Sequence, residues 1–157
     1  MIAGAQEQRL QLRPARPADE SQWRELWSGY CDFYRRSLPE HVTAATWQRI
    51  LTPSDNCTCI VACLAREVVG FATHITHPIS WSTAPAGYLE DLFVAPAARG
   101  AGIGGALIDH LIKEAHAKGW SRLYWMTEED NDVARELYDR FTPADGFVRY
   151  VMHFDEH

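Results

Sequence analysis

A glycine-rich loop between a strand and a helix constrains the fold of this chain more than any other sequence feature. The loop occupies residues 99–105, and its glycines are Gly100, Gly102, Gly104 and Gly105. Glycines let backbone N–H groups turn toward one point, and a helix that begins there adds unpaired N–H groups and the positive end of its dipole. An apolar strand over 88–94 precedes the loop. The arrangement predicts a cradle for a phosphate or pyrophosphate.

Hydrophobic periodicity over the whole chain predicts a single α/β domain, residues 1–157. Alternating or continuously apolar stretches predict further strands at 10–13, 57–65, 68–75, 121–127 and 147–154. Helical spacing of apolar residues predicts helices over 20–35, from Pro39 onward, from the glycine-rich loop to Gly119, and from Asn131 to about Phe141. This order of elements is typical of an α/β fold with a mixed sheet.

Local patterns predict how some of these elements begin and end. Asp19 followed by Gln22 predicts a capping box at the start of the first helix. Arg66 and Glu67 predict the tight turn of a hairpin, and the prolines within 77–87 predict a loop.

The composition argues against several classes of protein. A net charge of −6 is the opposite of the basic surface that a nucleic-acid-binding protein needs. No apolar run approaches the ~20 residues of a membrane-spanning helix, and residues 1–11 lack the pattern of a signal peptide. We therefore expect a cytoplasmic protein that binds neither nucleic acid nor membrane.

Cysteine and histidine positions predict no metal site. The cysteines at 57, 59 and 63 alternate along one face of a predicted strand, which is typical of core residues, and their spacing differs from that of a zinc site. With Cys31 they are expected to be free thiols, as in a reducing compartment. His74 and His77 fall on opposite faces of their strand, so no metal pair is expected.

The glycine-rich loop satisfies two binding templates. Gly100, Gly102 and Gly105 fit the dinucleotide fingerprint Gly-x-Gly-x-x-Gly, and two glutamates at 128–129 follow the next strand, where a ribose-binding acid would lie. However, residues 95–99 separate the strand from the first glycine, and several predicted elements precede the loop instead of following it. An NAD(P)-dependent oxidoreductase is therefore the weaker alternative.

The second template is Gln/Arg-x-x-Gly-x-Gly/Ala, which Arg99, Gly102 and Gly104 satisfy. This segment resembles the acetyl-CoA-binding signature of the GCN5-related N-acetyltransferases, the GNAT superfamily. Downstream, residues 131–138 followed by 146–147 are similar to that superfamily's Asn-x-x-Ala-x-x-Leu-Tyr…Gly-Phe segment.

The resemblance covers about residues 9–154, and its motifs are most similar to those of the histone/polyamine acetyltransferase subgroup. It implies a GNAT-like mixed, mainly antiparallel sheet of six to seven strands flanked by four helices. It also implies that the strand at 88–94 parts from its neighbour at a bulge, and that acetyl-CoA is the co-substrate, with no metal. A homodimer is possible, with the edge of the strand at 147–154 as one contact surface.

The resemblance assigns acetyl-CoA to the edge of the strand and to the glycine-rich loop. The pantetheine arm is expected along the strand backbone, a main-chain N–H near Val94 is expected to polarise the thioester carbonyl, and the pyrophosphate is expected on the N–H groups of the loop. The implied cofactor-binding residues are Leu92, Phe93, Val94, Arg99, Gly100, Ala101, Gly102, Ile103, Gly104, Gly105, Asn131 and Tyr138.

Two residues are the candidate acid and base. Strand alternation puts Glu90 on one face with Tyr88 and Leu92, and Asp91 with Leu89 on the other. Glu90 can accept the proton of an amine, whereas Asp91 is expected to be structural. Tyr138 matches the family's usual general acid. Glu90 is also a candidate for binding the acceptor substrate, together with the aromatic side chains Trp81 and Trp125.

The sequence thus predicts an acetyl-CoA-dependent N-acetyltransferase that acts by direct transfer in a ternary complex. Its acceptor is expected to be a primary amine: a polyamine, another small amine or a lysine side chain. The alternatives are a non-catalytic sensor of acyl-CoA and, less favoured, the NAD(P)-dependent oxidoreductase.

Overall fold

The computed structural model describes residues 9–154. The chain divides into two compact units, residues 1–126 and 127–157. Among the described residues, the first unit contains the sheet and three α-helices, and the second contains one α-helix.

The first unit is built on a sheet of five strands whose spatial order follows the chain. The first four strands pair antiparallel, and the fifth pairs parallel to the fourth. The mixed, mainly antiparallel sheet is therefore confirmed, but the expectation of six to seven strands is wrong. The strands are β1 (Gln11–Pro14), β2 (Cys57–Leu64), β3 (Glu67–Ile79), β4 (Ser82–Val94) and β5 (Arg122–Trp125).

The four expected helices are confirmed. Three belong to the first unit: α1 (Glu20–Phe33), α2 (Glu40–Leu51) and α3 (Ile103–Lys118). The fourth, α4 (Asp132–Tyr138), belongs to the second unit and ends earlier than the sequence predicts. None of the helices in the described part of the chain is long and apolar enough to cross a membrane.

The expected strand at 147–154 is absent from the structure, in which residues 143–154 have no helix or strand. Several of its apolar side chains are exposed, among them Phe147, Tyr150 and Phe154. Alternation of apolar residues indicates only which side chains could share a face. A strand also needs a neighbour to accept its backbone hydrogen bonds, and a sequence pattern does not identify that neighbour.

The expected loop at 77–87 is instead mostly strand. β3 and β4 continue through it to a tight turn at Ser80 and Trp81. The register shifts between His77 and Ile79, so Pro78 is left out of the ladder and its missing N–H costs no hydrogen bond.

The predicted hairpin between β2 and β3 is confirmed, but its turn lies one residue earlier than expected. Ala65 and Arg66 both have positive φ, 48° and 72°. Positive φ at both central residues is the turn geometry that suits the twist of two antiparallel strands, so Glu67 begins β3.

The capping box at the start of α1 is wrong. The Asp19 side chain makes no cap hydrogen bond to α1; its carboxylate accepts two hydrogen bonds from Arg13, of 2.7 and 2.9 Å, and one of 2.7 Å from the Arg16 N–H. This pairing holds the pKa of Asp19 below its usual value. Gln22 is also engaged elsewhere, because its side-chain oxygen accepts a hydrogen bond of 2.6 Å from the Val68 N–H.

The sheet of the first unit has a core on each face. On one face Trp23 of α1, Trp47 of α2 and Phe71 of β3 are fully buried and in ring contact. Cys59 and Cys63 belong to this core and Cys57 packs against it, as the sequence predicts. On the other face lie the buried side chains of α3: Ile103, Leu107, Ile108 and Leu111.

Candidate active site

The site begins at a β-bulge in β4. Leu89 pairs with His74 of β3 and Asp91 pairs with the adjacent Thr73, so Glu90 is an extra residue without a place in the ladder. The bulge puts Leu89 and Asp91 on opposite faces of the sheet, which corrects the expectation from strict alternation. Asp91 now lies on the face covered by α1, where it is buried, and Glu90 is exposed.

β4 and β5 part at this bulge. Their parallel pairing ends at Leu89 and Trp125, and no strand among residues 9–154 pairs with the free edge of β4 beyond that point. The Ala95 N–H donates to the Val69 carbonyl across the β3 side of β4. Since backbone groups alternate along an antiparallel strand, those of Leu92 and Val94 point toward the free edge.

The glycine-rich loop follows directly and leads into α3. Gly100 and Gly102 have positive φ, 86° and 76°, and a side chain added at either would meet no described atom within 4 Å. The first hydrogen bond of α3 joins the Ala106 N–H to the Gly102 carbonyl. The N–H groups of the preceding helical residues therefore have no acceptor within the helix, which suits a phosphate.

Arg99 is folded back onto β4. Its Nε donates a hydrogen bond of 3.0 Å to the Val94 carbonyl, and its guanidinium carbon lies 5.3 Å from the centre of the Phe93 ring. The side chain thus ties the start of the loop to the end of the strand, in addition to any charge it offers to an anion.

A groove of about 420 Å³ lies between α1 and the end of β4. Two of its lining side chains, Glu25 and Asp32, are acidic, and the others include Phe93 and Arg99. Sequence reasoning missed this groove, because its residues come from elements far apart in the chain and form no motif.

Asp91 has an unusual environment for a carboxyl group. Burial is the main cause that raises its pKa to about 7, and a hydrogen bond from the Tyr30 side chain only partly opposes this effect. In turn, burial and the nearby Asp91 raise the pKa of the Tyr30 hydroxyl. A carboxyl group that titrates near pH 7 can both hold and release a proton under physiological conditions.

An aromatic cluster lies beside the bulge on the same face as Asp91. Tyr88 and Tyr124 are register partners on β4 and β5, with ring centres 4.8 Å apart. The Tyr124 hydroxyl lies 2.7 Å from His77 Nε2, and His77 Nδ1 lies 3.0 Å from the Pro78 carbonyl oxygen. The sequence pattern predicts no function for these residues, because their contact depends on the strand register.

The other predicted substrate residues lie at different places in the first unit. Trp81 is on the turn between β3 and β4 and is 95% exposed. Trp125 is half-buried at the last pair of β4 and β5, next to the bulge.

The second unit contains the remaining predicted residues. The Asn131 side chain caps α4, since its oxygen accepts from the Ala134 N–H and its nitrogen donates to the Thr127 hydroxyl. Tyr138 is the last residue of α4 and is half-buried. The local prediction that Asn131 caps this helix is therefore confirmed.

Comparison with known proteins identifies the family. The sequence model of the Acetyltransferase (GNAT) family matches residues 22–142. The chain belongs to the GNAT family. It is an acetyl-CoA-dependent N-acetyltransferase, and the family model covers the glycine-rich loop.

One GNAT relative is the D-amino-acid N-acetyltransferase HPA3 of Saccharomyces cerevisiae. It is 30% identical over 134 residues, which are 84% of this chain and 83% of that protein.

Solved structures share the fold of this chain at low sequence identity. The ribosomal-protein-alanine N-acetyltransferase of Brucella melitensis is 22% identical, with a TM-score of 0.76 over 93% of this chain and 100% of that one. The aminoglycoside N-acetyltransferase AAC(6')-Iy in complex with CoA is 18% identical, with a TM-score of 0.77 over 98% of both chains.

The GNAT fold binds CoA, and the donor groups of this chain fit such a ligand. The α3 N-terminus offers N–H groups for its phosphates, and the free edge of β4 offers backbone groups for its amide-containing arm. Among residues 9–154, no group of three or more His, Cys, Asp or Glu side chains could hold a metal ion.

Proposed function

We propose that this enzyme transfers the acetyl group directly to a primary amine of a small cationic molecule. The best support is the bulge at Glu90, because it puts Glu90 and Asp91 in adjacent positions where β4 and β5 part. A free alkylamine arrives protonated, with a pKa near ~10.4, and must lose a proton before it can attack. Carboxyl groups at this point can take that proton.

Direct transfer is favoured over a covalent acyl-enzyme by the state of the thiols. Burial raises the pKa of Cys31 and Cys57, so little of either thiol is present as the nucleophilic thiolate. Cys59 is buried in the core. The acetyl group is therefore proposed to pass from thioester to amine in a ternary complex.

Acetyl-CoA supplies an activated acetyl thioester, and the residues proposed to hold it are those implied by the sequence. The backbone of Leu92 and Val94 would bind the pantetheine arm, with Phe93 between them. The N–H groups from Arg99 to Gly105 would bind the pyrophosphate. The direction of the Leu92 and Val94 backbone and the open space at the loop support this assignment.

In this proposal Glu90 accepts the amine's proton, directly or through water. Its place in the bulge and its exposure support a contact with an incoming substrate. Asp91 lies beside it, buried, and keeps a pKa of about 7. We propose that Asp91 tunes Glu90, since a neutral Asp91 leaves Glu90 as the carboxylate that attracts a cation.

Tyr138 is proposed as the general acid that protonates the leaving thiolate, and the proton that the acetylated nitrogen then loses returns, through solvent, to the Tyr138 oxygen. The support is its place in the Asn-x-x-Ala-x-x-Leu-Tyr segment, at the end of α4. Asn131 is proposed to help hold the pantetheine arm. Its side chain also caps α4, so a substitution there is expected to affect the helix as well.

The acceptor is proposed to be a cationic amine without a carboxylate next to it. Glu25 and Asp32 outnumber Arg99 among the charged side chains that line the groove, and together with Glu90 at the bulge they favour a positive ligand. Among the similar proteins, one is named for aminoglycosides, which fit this class, and one for D-amino acids, whose amine has a carboxylate beside it. Polyamines, which the subgroup resemblance suggests, and lysine side chains are further members of this class.

Four further expectations are retained as proposals. The family model spans both compact units, which supports one N-acetyltransferase domain over 1–157. Trp81 and Trp125 remain candidates for substrate contact. A homodimer and a cytoplasmic location follow from the sequence reasoning alone.

The test is release of free thiol from acetyl-CoA in the presence of single amines. The panel contains spermidine, putrescine, an aminoglycoside, D- and L-amino acids and a lysine-rich peptide. We expect release with spermidine or putrescine, and a large fall in kcat in Glu90→Gln but not in Glu67→Gln, an exposed glutamate at the start of β3. Thiol release only with amino acids, or wild-type activity in Glu90→Gln, would contradict the proposal.

A further inference from the structure

The cluster of His77, Tyr88 and Tyr124 is a set of polar and aromatic groups for which the proposed reaction has no role so far. It lies on the face of Asp91, and Tyr124 belongs to the pair immediately before the end of the β4–β5 ladder. All three side chains are half-buried, so they are partly accessible to a ligand.

When the His77 ring is neutral, its hydrogen bonds fix the direction of the Tyr124 proton. A carbonyl oxygen can only accept, so the contact with the Pro78 carbonyl requires a proton on His77 Nδ1. In the neutral ring Nε2 then has no hydrogen and must accept. The Tyr124 hydroxyl therefore donates its proton to Nε2 across 2.7 Å.

With its proton committed to His77, the Tyr124 oxygen can offer only lone pairs to anything else. The ring that carries this oxygen is held by three neighbours. Tyr88 lies against it, His77 meets it edge to face with ring centres 5.8 Å apart, and the guanidinium carbon of Arg122 lies 4.9 Å from its centre. The result is a fixed hydrogen-bond acceptor beside the bulge.

We propose that the Tyr124 hydroxyl oxygen binds the acceptor amine by accepting one of its N–H hydrogen bonds, and that His77 is the positioning residue that keeps this oxygen an acceptor. This inference rests on the proposed amine acetylation. After Glu90 has taken one proton, a primary amine still has two N–H groups and a lone pair. One N–H bonds to Tyr124, and the lone pair stays free to attack.

Tyr124 and the neutral His77 ring therefore select for ligands that donate hydrogen bonds, and they do so without a charge. Carboxylates at the bulge attract any cation, including a quaternary ammonium that cannot be acetylated. A phenol oxygen with its own proton held away instead requires an N–H, which primary amines have and quaternary ammonium ions lack.

The experiment is a double-mutant cycle on the full-length enzyme, with the best amine of the panel as substrate. Tyr124→Phe keeps the ring and removes the oxygen, and His77→Phe removes the acceptor of its proton. We expect each single variant to lose about 10- to 100-fold in kcat/KM for the amine, the effect of one lost hydrogen bond to a charged or reacting group. The KM for acetyl-CoA should stay unchanged.

The double variant should be no worse than the poorer single variant, because both substitutions remove the same contact. His77→Gln should recover much of the activity, since its side-chain oxygen can accept the Tyr124 proton. His41→Phe, a histidine exposed on α2, is the matched control and should behave as wild type. A purely structural role would lower the melting temperature instead, and His77→Gln would not restore the amine kinetics.

Two results would overturn the inference: amine kinetics of Tyr124→Phe within twofold of wild type, or losses of the two single variants that multiply in the double variant. Both are measured against a wild type that turns over. If wild type releases no thiol with any amine, the proposed function itself fails, and this outcome differs from either result on the variants.

Discussion

Arg99 donates a hydrogen bond of 3.0 Å from Nε to the carbonyl oxygen of Val94, across the junction between β4 and the glycine-rich loop. Arg99 therefore stabilises the conformation of its own loop. The Val94 carbonyl points toward the free edge of β4, so Arg99 also occupies one of the few backbone groups there.

Replacing Arg99 is expected to weaken acetyl-CoA binding by loosening the loop. In Arg99→Ala the loop loses both the bond to Val94 and the contact with the Phe93 ring. We expect a Kd for acetyl-CoA about tenfold higher, equivalent to ~1.4 kcal/mol, measured by calorimetry. Arg49→Ala, an exposed arginine of α2, is the control for charge and should not change the Kd. An unchanged Kd in Arg99→Ala would exclude the anchoring role.

Alanine substitutions at Gly102 and Gly119 are expected to lower stability equally and to differ in acetyl-CoA affinity. Gly102 has φ 76° and Gly119 has φ 67°, at the two ends of α3, and a side chain at either has open space. Alanine should cost each protein about 1–2 kcal/mol of unfolding free energy, because L-residues are strained at positive φ. Only Gly102→Ala should also weaken acetyl-CoA binding, tenfold or more. Equal affinities for the two variants would argue against a ligand at the loop.

Local sequence patterns were sufficient to predict most of the fold. The helices follow from apolar spacing and the glycine at the end of α3, and the hairpin of β2 and β3 follows from its alternation and short turn. The glycine-rich loop was predicted from composition and position alone. Each of these depends on interactions within a few residues along the chain.

What could not be predicted depends on pairing between distant segments. The family resemblance implies a bulge in this strand, but its position at Glu90, which puts Leu89 and Asp91 on opposite faces, follows only from the register with β3. The meeting of His77 with Tyr124 likewise requires β3, β4 and β5 in register. The apolar alternation at 147–154 predicted a strand, but no partner pairs with it in the described structure.

The buried Asp91 is expected to make stability depend on pH. Its folded pKa, about 7, lies above the ordinary value of 3.8, so between about pH 4 and 7 the folded state binds more protons than the unfolded state. Stability should therefore fall as pH rises through this window, by an amount on the order of a few kcal/mol. Asp91→Asn removes this slope.

The measurement is the melting temperature of wild type and Asp91→Asn at pH 5 and pH 8. We expect the melting temperature of Asp91→Asn, relative to wild type, to be higher at pH 8 than at pH 5. Asp32→Asn, at an exposed position of α1, should show no such change. A difference between Asp91→Asn and wild type that is the same at both pH values would mean that Asp91 is ionised throughout.

Tyr138→Phe is expected to lower turnover and to leave the binding of acetyl-CoA nearly unchanged. The change removes one hydroxyl from the last residue of α4 and keeps the ring. If this hydroxyl protonates the leaving thiolate, kcat should fall by about 10²–10⁴, the usual contribution of a positioned general acid. Acetyl-CoA affinity by calorimetry should change by less than about twofold, because a general acid acts mainly in the transition state.

The control is Tyr150→Phe, which removes a hydroxyl from a tyrosine that is 92% exposed in the same unit. If Tyr138→Phe and Tyr150→Phe have the same kcat as wild type, the thiolate takes its proton from another group, and Tyr138 has no part in the chemistry.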